Sequence, residues 1–158
     1  MFVRSFLCVV VYLGCCMSWC FASEPGQGID PYFLTNSPKS EAEQYTHNGS
    51  DVIIESRGDS IHIRYEKPRA GLASVGAKQG TLLFVGRRTG DNVEGTAFVF
   101  KANCQPAPYS VRGRFNSRLN LILEGFAPHW DPNSCAITTY TNATAQSRLI
   151  LLEAFGDI

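Results

Sequence analysis

The residues able to do chemistry in this sequence are few and scattered. His129-Trp130-Asp131-Pro132 sets an imidazole and a carboxylate beside an aromatic ring, a pairing that can serve acid–base catalysis. A hydrolase built on His129 and Asp131 would also need a nucleophile, and no serine or cysteine stands in a frame such as Gly-x-Ser-x-Gly. A Trp packed over a disulfide in a proline-bounded loop accounts for the same residues. We therefore assign no catalytic residue and expect no enzyme. The three histidines, His47, His62 and His129, have no second ligand at metal-binding spacing. No metal and no cofactor are expected.

Arg87, Arg88, Arg112, Arg114 and Arg118 fall near two expected hairpin tips. If those tips share one end of the fold, the guanidinium groups form a basic rim. Such a rim could hold a carboxylate, a phosphate or an anionic glycan. The competing reading is ordinary solvated tips, with Arg87 paired to Glu94. Arg57-Gly58-Asp59 matches an integrin-binding tripeptide, but Gly-Asp is also what a tight turn requires. Asn48-Gly49-Ser50 and Asn142-Ala143-Thr144 are glycosylation acceptors only in a eukaryotic cell.

Cysteine usage and the first residues bear on compartment. Residues 1–22 read as a signal peptide: Arg4, an apolar run from Phe6 to Cys16, then Cys20-Phe21-Ala22 as a small-residue cleavage site. Two alternatives are a lipid anchor at Cys15, for which Tyr12 is the wrong leading residue, and an uncleaved anchor, for which the run is short of ~20 residues. Cleavage removes Cys8, Cys15, Cys16 and Cys20. The remaining pair, Cys104 and Cys135, then reads as a disulfide of an exported protein. Closing that loop should stabilise the fold by ~3–4 kcal/mol through the unfolded state. The mature form has no transmembrane span and is expected to be periplasmic or secreted.

The elements that would position these residues are strands. Residues 23–50 carry prolines and little apolar periodicity, and read as a flexible linker with an unimportant helical turn near Glu41–Tyr45. A single β domain then occupies residues 51–158. Gly58-Asp59 as a turn sets Val52 opposite Tyr65, Ile54 opposite Ile63 and Glu55 opposite His62. Gly90-Asp91 as a type II′ turn sets Phe84 opposite Ala97, Gly86 opposite Gly95 and Arg87 opposite Glu94. A three-residue loop at Asn116-Ser117-Arg118 sets Phe115 opposite Leu119 and Val111 opposite Leu123. A last hairpin joins Cys135–Tyr140 to Arg148–Phe155. The long connection from Pro68 to Gly80 has Leu72 and Val75 as anchors, and is either a binding loop or lid, or a sheet-crossing link packed by its own side chains. Eight strands with regularly placed glycines predict an all-β fold. It is an antiparallel up-and-down barrel or a sandwich flattened from one.

Several of these segments carry a resemblance. Ile61-His-Ile-Arg-Tyr, Pro68-Arg-Ala-Gly-Leu, Gly80-Thr-Leu-Leu-Phe-Val-Gly, Gly95-Thr-Ala-Phe-Val-Phe, Cys104, Tyr109-Ser-Val-Arg-Gly and Leu121-Ile-Leu-Glu-Gly-Phe-Ala-Pro are the segments concerned. Over residues 58–155 the chain resembles a group of small exported β-domain proteins of alphaproteobacteria, rhizobia especially. The resemblance implies a periplasmic setting and no activity.

Charge narrows the partners. With 14 basic and 14 acidic residues the chain is balanced, which argues against a nucleic-acid or anionic-membrane surface. The expected function is a non-enzymatic binding module of the cell envelope, taking an anionic component at the barrel mouth or the basic rim. The alternative is a structural or inhibitor-like accessory that binds another envelope protein.

Overall fold

The computed structural model describes residues 40–116, 118 and 120–154. The leader, most of the linker, and the residues around Phe155 lie outside them. Ten strands are present: β1 (Ser40–His47), β2 (Ser50–Arg57), β3 (Ser60–Lys67), β4 (Leu82–Thr89), β5 (Asn92–Val99), β6 (Ala107–Phe115), β7 (Leu121–Gly125), β8 (Ala127–Trp130), β9 (Ile137–Thr141) and β10 (Arg148–Glu153). Eight of them form a closed antiparallel barrel in the order β1-β2-β3-β4-β5-β6-β7-β10. β8 and β9 make a separate two-stranded sheet. The chain thus meanders around the barrel, with the β8–β9 ribbon as an excursion before the last stave.

Alternation puts the apolar residues inside. Val52, Ile54, Ile61 and Ile63 are fully buried, together with Phe84, Val93, Leu121, Leu123 and Leu151. Both early hairpins have the expected register: Ile54 pairs with Ile63, and Gly86 with Gly95. One irregularity lies between β3 and β4, where Ile63 pairs with Phe84 but Arg64 with Leu82. Leu83 is the extra residue of a bulge, so Leu83 and Phe84 are both buried.

Three expectations are corrected. The barrel begins at Ser40, so residues 40–50 are not linker and Glu41–Tyr45 is strand rather than a helical turn. β1 is too polar to show alternation; Tyr45 is its one buried residue. Instead it is held along its whole length by β2, from Ser40 opposite Arg57 to His47 opposite Ser50. Asn48 and Gly49 turn it, with φ of 50° and 74°. Two positive φ values in sequence suit the twist of a hairpin.

The β6–β7 loop has five residues, 116–120, because Phe115 pairs with Leu121 and Val111 with Gly125. Asn116 organises that loop. Its Oδ1 accepts from the backbone N–H of Arg118 (2.9 Å) and of Asn120 (3.1 Å). The shift from the expected pairing is even, so every side chain keeps its face.

β9 does not pair with β10. It pairs with β8, Ala127 opposite Thr141, while β10 lies between β7 and β1. β10 presents Leu149 and Leu151 to the core, so it suits a barrel stave; β9 is largely exposed. The ribbon is fastened elsewhere. Cys104 and Cys135 are bonded, with Cα atoms 5.5 Å apart. Lys101 Nζ donates to the carbonyls of Asp131 and Ser134.

Closing eight strands requires strong coiling, and the Gly86–Gly95 pair permits it. A Cβ on Gly95 would lie 2.3 Å from the Val85 carbonyl and 2.8 Å from the Phe84 ring. Gly95→Ala should therefore cost ~2–3 kcal/mol, the range of an overpacked core. Thr96→Ala on the outer wall should stay within ~0.5 kcal/mol. Urea denaturation checks this; equal midpoints would show that the close approach does not hold the curvature.

Candidate functional site

The barrel has two unlike ends. The Gly58-Asp59, Gly90-Asp91 and 116–120 turns share the lower end, where Arg88 N–H donates to Asp59 O and Phe115 N–H to Asp91 O. The two arginine-bearing tips thus share an end as expected. The guanidinium groups nevertheless do not gather into one rim. Arg88 faces inward and stacks over Phe115, 4.3 Å from the ring centroid, with its Nε donating to Gly90 O. Arg87 pairs with Asp59 at 3.5 Å. Arg112 stands higher on the outer wall, between Glu94 and Glu124. Arg114 is opposite Asn92 and Ile122, and Arg118 lies in the turn. Of the five, Arg87 alone makes an ion pair among the described residues, and Arg88 is taken up by Phe115 and the Gly90 carbonyl.

The other candidate residues have structural employment. His129 is exposed, its Nδ1 3.4 Å from Thr138 Oγ1. Asp131 Oδ1 accepts from Asn133 N–H, an Asx turn that holds its carboxyl below the usual range with help from Ser134. Trp130 faces the Lys101 ammonium, 6.0 Å from the ring centroid. Among the described residues no cluster of His, Cys, Asp or Glu could hold a metal.

Sequence reasoning named the barrel mouth as a binding position but assigned no residues to it; the upper end supplies them. There a cavity of about 480 Å³ opens between the Asn48-Gly49 turn, the Pro68–Gly80 connection and the top of β10. That volume is within the range of small-molecule sites. The wall is mixed, and its apolar side is formed by Leu72, Val75, Leu83, Phe98, Phe100 and Leu149. The polar side is formed by Thr46, His47, Asn48, Tyr65, Arg69, Tyr109, Gln146 and Arg148.

The Pro68–Gly80 connection is the packed link of the two expected alternatives. Arg69 N–H donates to Ser50 Oγ (3.0 Å), Gly80 N–H to Tyr65 O (2.7 Å), and Ala77 is wholly buried. A single 3₁₀ turn, Leu72–Val75, sets both anchors over the barrel end. Among the described residues no helix is long and apolar enough to cross a membrane.

Two polar groups stand free at this mouth. Among the described residues, the Arg69 guanidinium has no carboxylate partner and the Tyr65 hydroxyl no hydrogen bond. The stem of Arg69 runs beside Gly49, 3.7 Å from where a Cβ would stand. Burial pushes the Tyr65 hydroxyl up, and Arg69 works against that shift. Tyr109 is committed, since its hydroxyl donates to Gln146 O and so ties the loop before β10 to the barrel.

His47 closes the side of the cavity. β1 and β10 pair only at Tyr45 with Glu153 and Thr46 with Leu152. Above them the barrel seam parts, and the His47 imidazole spans it, Nδ1 3.0 Å from Ile150 O. With Nδ1 protonated the neutral ring donates to that carbonyl. Burial lowers the His47 pKa below its ordinary 6.5, and Arg69 adds to the effect, while the Ile150 carbonyl opposes it. Asn48-Gly49 was the available signal: a hairpin turn there would have drawn His47 out of the linker.

No protein-family model, no curated protein and no solved structure matches this chain. The geometry of the two ends is therefore the basis for a functional reading.

His47 gives a pH test. Its folded-state pKa lies below the unfolded one, so the unfolded chain binds the proton more readily. The stability contributed by neutral His47 is present in full above its ordinary 6.5 and is lost as pH falls below it. His47→Gln should flatten the stability profile between about pH 7 and about pH 5 relative to the parent. Parallel profiles would mean that the imidazole is not held neutral across the seam.

Proposed function

We propose that this chain is an exported, non-enzymatic binding module that takes a small amphiphile with an anionic head into the upper end of its barrel. The observation that carries the reading is the Arg69 guanidinium, without a carboxylate partner among the described residues, at the mouth of a cavity with an apolar side. An alkyl or aromatic body would replace water against Leu72, Val75 and Phe98, contributing on the order of 25 cal/mol per Å² of apolar surface removed from water. A carboxylate or phosphate head would reach Arg69 and accept from Tyr65. Charge-assisted bonds of that kind are the stronger ones and give the ligand its direction. His47, held neutral, adds no charge to the mouth, and Arg148, which also lines it, is paired with Glu124.

Export fits the same reading. The disulfide suits an oxidising compartment. The leader expected at residues 1–22 and the resemblance to exported alphaproteobacterial domains both favour the periplasm. The anionic envelope component first expected at the arginine tips is thus better served at the opposite end. At the tips Arg87 has Asp59, and Arg88 has Phe115.

Decanoate and decanol separate the contributions. Arg69→Gln should weaken decanoate binding about tenfold or more, the worth of a hydrogen bond to a charged group. Decanol, lacking the charge, should bind both proteins alike. Calorimetric titration decides it: equal losses for both ligands, or no decanoate binding by the parent, would remove the anionic-amphiphile reading.

A further inference from the structure

A second recess lies on the outer wall of the barrel, far larger than the first at about 1140 Å³. Its floor is the outer face of β4, β5, β6, β7 and β10, and the loop of residues 142–147 stands over it. Along this floor the register aligns five charged residues as successive cross-strand neighbours. Arg87 is opposite Glu94, Glu94 opposite Arg112, Arg112 opposite Glu124, and Glu124 opposite Arg148. The signs alternate without a break.

The two ends of this row are engaged. Arg87 pairs with Asp59 at 3.5 Å, and Arg148 with Glu124 at 3.0 Å. The centre is not. Glu94 and Arg112 are exposed neighbours, yet neither makes an ion pair or a side-chain hydrogen bond among the described residues. An acceptor and a forked donor therefore stand side by side, flanked by the hydroxyls of Thr96 and Ser110. Phe126 borders the same recess and is 61% exposed, the most exposed large apolar residue of the described chain. The overhang is braced from within, because the buried Ser147 hydroxyl lies 2.8 Å from Asn142 O and 2.6 Å from Thr144 O.

The chemistry of this recess favours one class of ligand. An anion would meet Glu94 and Glu124, and a cation would meet the arginines, so neither simple ion is suited. A peptide adding itself as a strand needs an open sheet edge. The floor offers none, since β4 to β7 and β10 are paired in sequence across it. What remains is recognition by side chains alone: alternating donors and acceptors beside an aromatic face. Ring hydroxyls both donate and accept, and the polarised C–H face of a sugar suits the negative face of an aromatic ring. We propose that this groove binds an uncharged oligosaccharide, with Phe126 as stacking platform and Glu94 and Arg112 as the pair that reads its hydroxyls.

The test is an NMR titration of the ¹⁵N-labelled full mature chain, using cellohexaose, chitohexaose and a peptide of alternating Lys and Glu as probes at millimolar concentration. At least one hexasaccharide should shift the amides of residues 94–96, 110–112 and 124–126 and leave those around Arg69 unmoved. Phe126→Ala should weaken that binding at least tenfold without lowering the melting temperature, because the ring is exposed. Glu94→Gln should weaken it without adding salt dependence. Shifts from the peptide alone, shifts confined to the upper end, no shift from either saccharide, or full affinity in Phe126→Ala would each overturn the proposal.

Discussion

Closure of the barrel is the constraint on which the rest depends. Eight short strands must coil tightly enough for β10 to meet β1, and the meeting itself is small: two residue pairs and the bond from Ala154 N–H to Gln44 O. The wall supplies the coil. Gly86 and Gly95 face each other with no side chain between them, and the Phe84 ring fills the space they leave. Without that inward collapse the seam would stand open along its length, and the interior would not exclude water.

The two ends divide the work. At the lower end the tips are tied to one another by backbone bonds, and Arg88 lies on Phe115 as a plug. Tyr45 sits inside this end among Glu43, Glu153 and Arg88, and burial with the two carboxylates pushes its hydroxyl up to about 12. It therefore stays neutral and closes the floor without adding a charge. At the upper end β1 turns away at Asn48-Gly49 before β10 does, so the seam opens there and His47 bridges it. The opening thus follows from the stagger of β10 against β1 at this seam.

Much of this was legible in the sequence, and the limits have physical causes. β2 to β5 could be read because each hairpin places apolar, glycine and charge pairs opposite one another in a single register. The β6–β7 register was misread by two residues, since an Asn side chain inside the loop took the place of backbone pairing. β1 was hidden because a stave buried at one residue has no period; its partner strand, not its own composition, makes it a strand. β9 was placed in the barrel because local order favours neighbours, whereas the disulfide and Lys101 hold its preceding loop against the β5–β6 connection. The two arginine-bearing turns were correctly placed at one end, yet the groups that engage Arg87 and Arg88, Asp59 and Phe115, come from other hairpins. The cavity drew on residues from β1, β3, β4, β5, β6, β10 and the connecting loops, and no sequence window contains them together.

The central claim is that the upper end of a closed barrel holds an amphiphile by its apolar body and orients it by Arg69. A crystal structure of the mature protein grown with decanoate tests this most directly. The account predicts an alkyl chain against Leu72, Val75 and Phe98, with the carboxylate in contact with the Arg69 guanidinium and the His47–Ile150 bridge intact. A cavity filled by ordered water alone, or decanoate bound only on the outer wall, would contradict it.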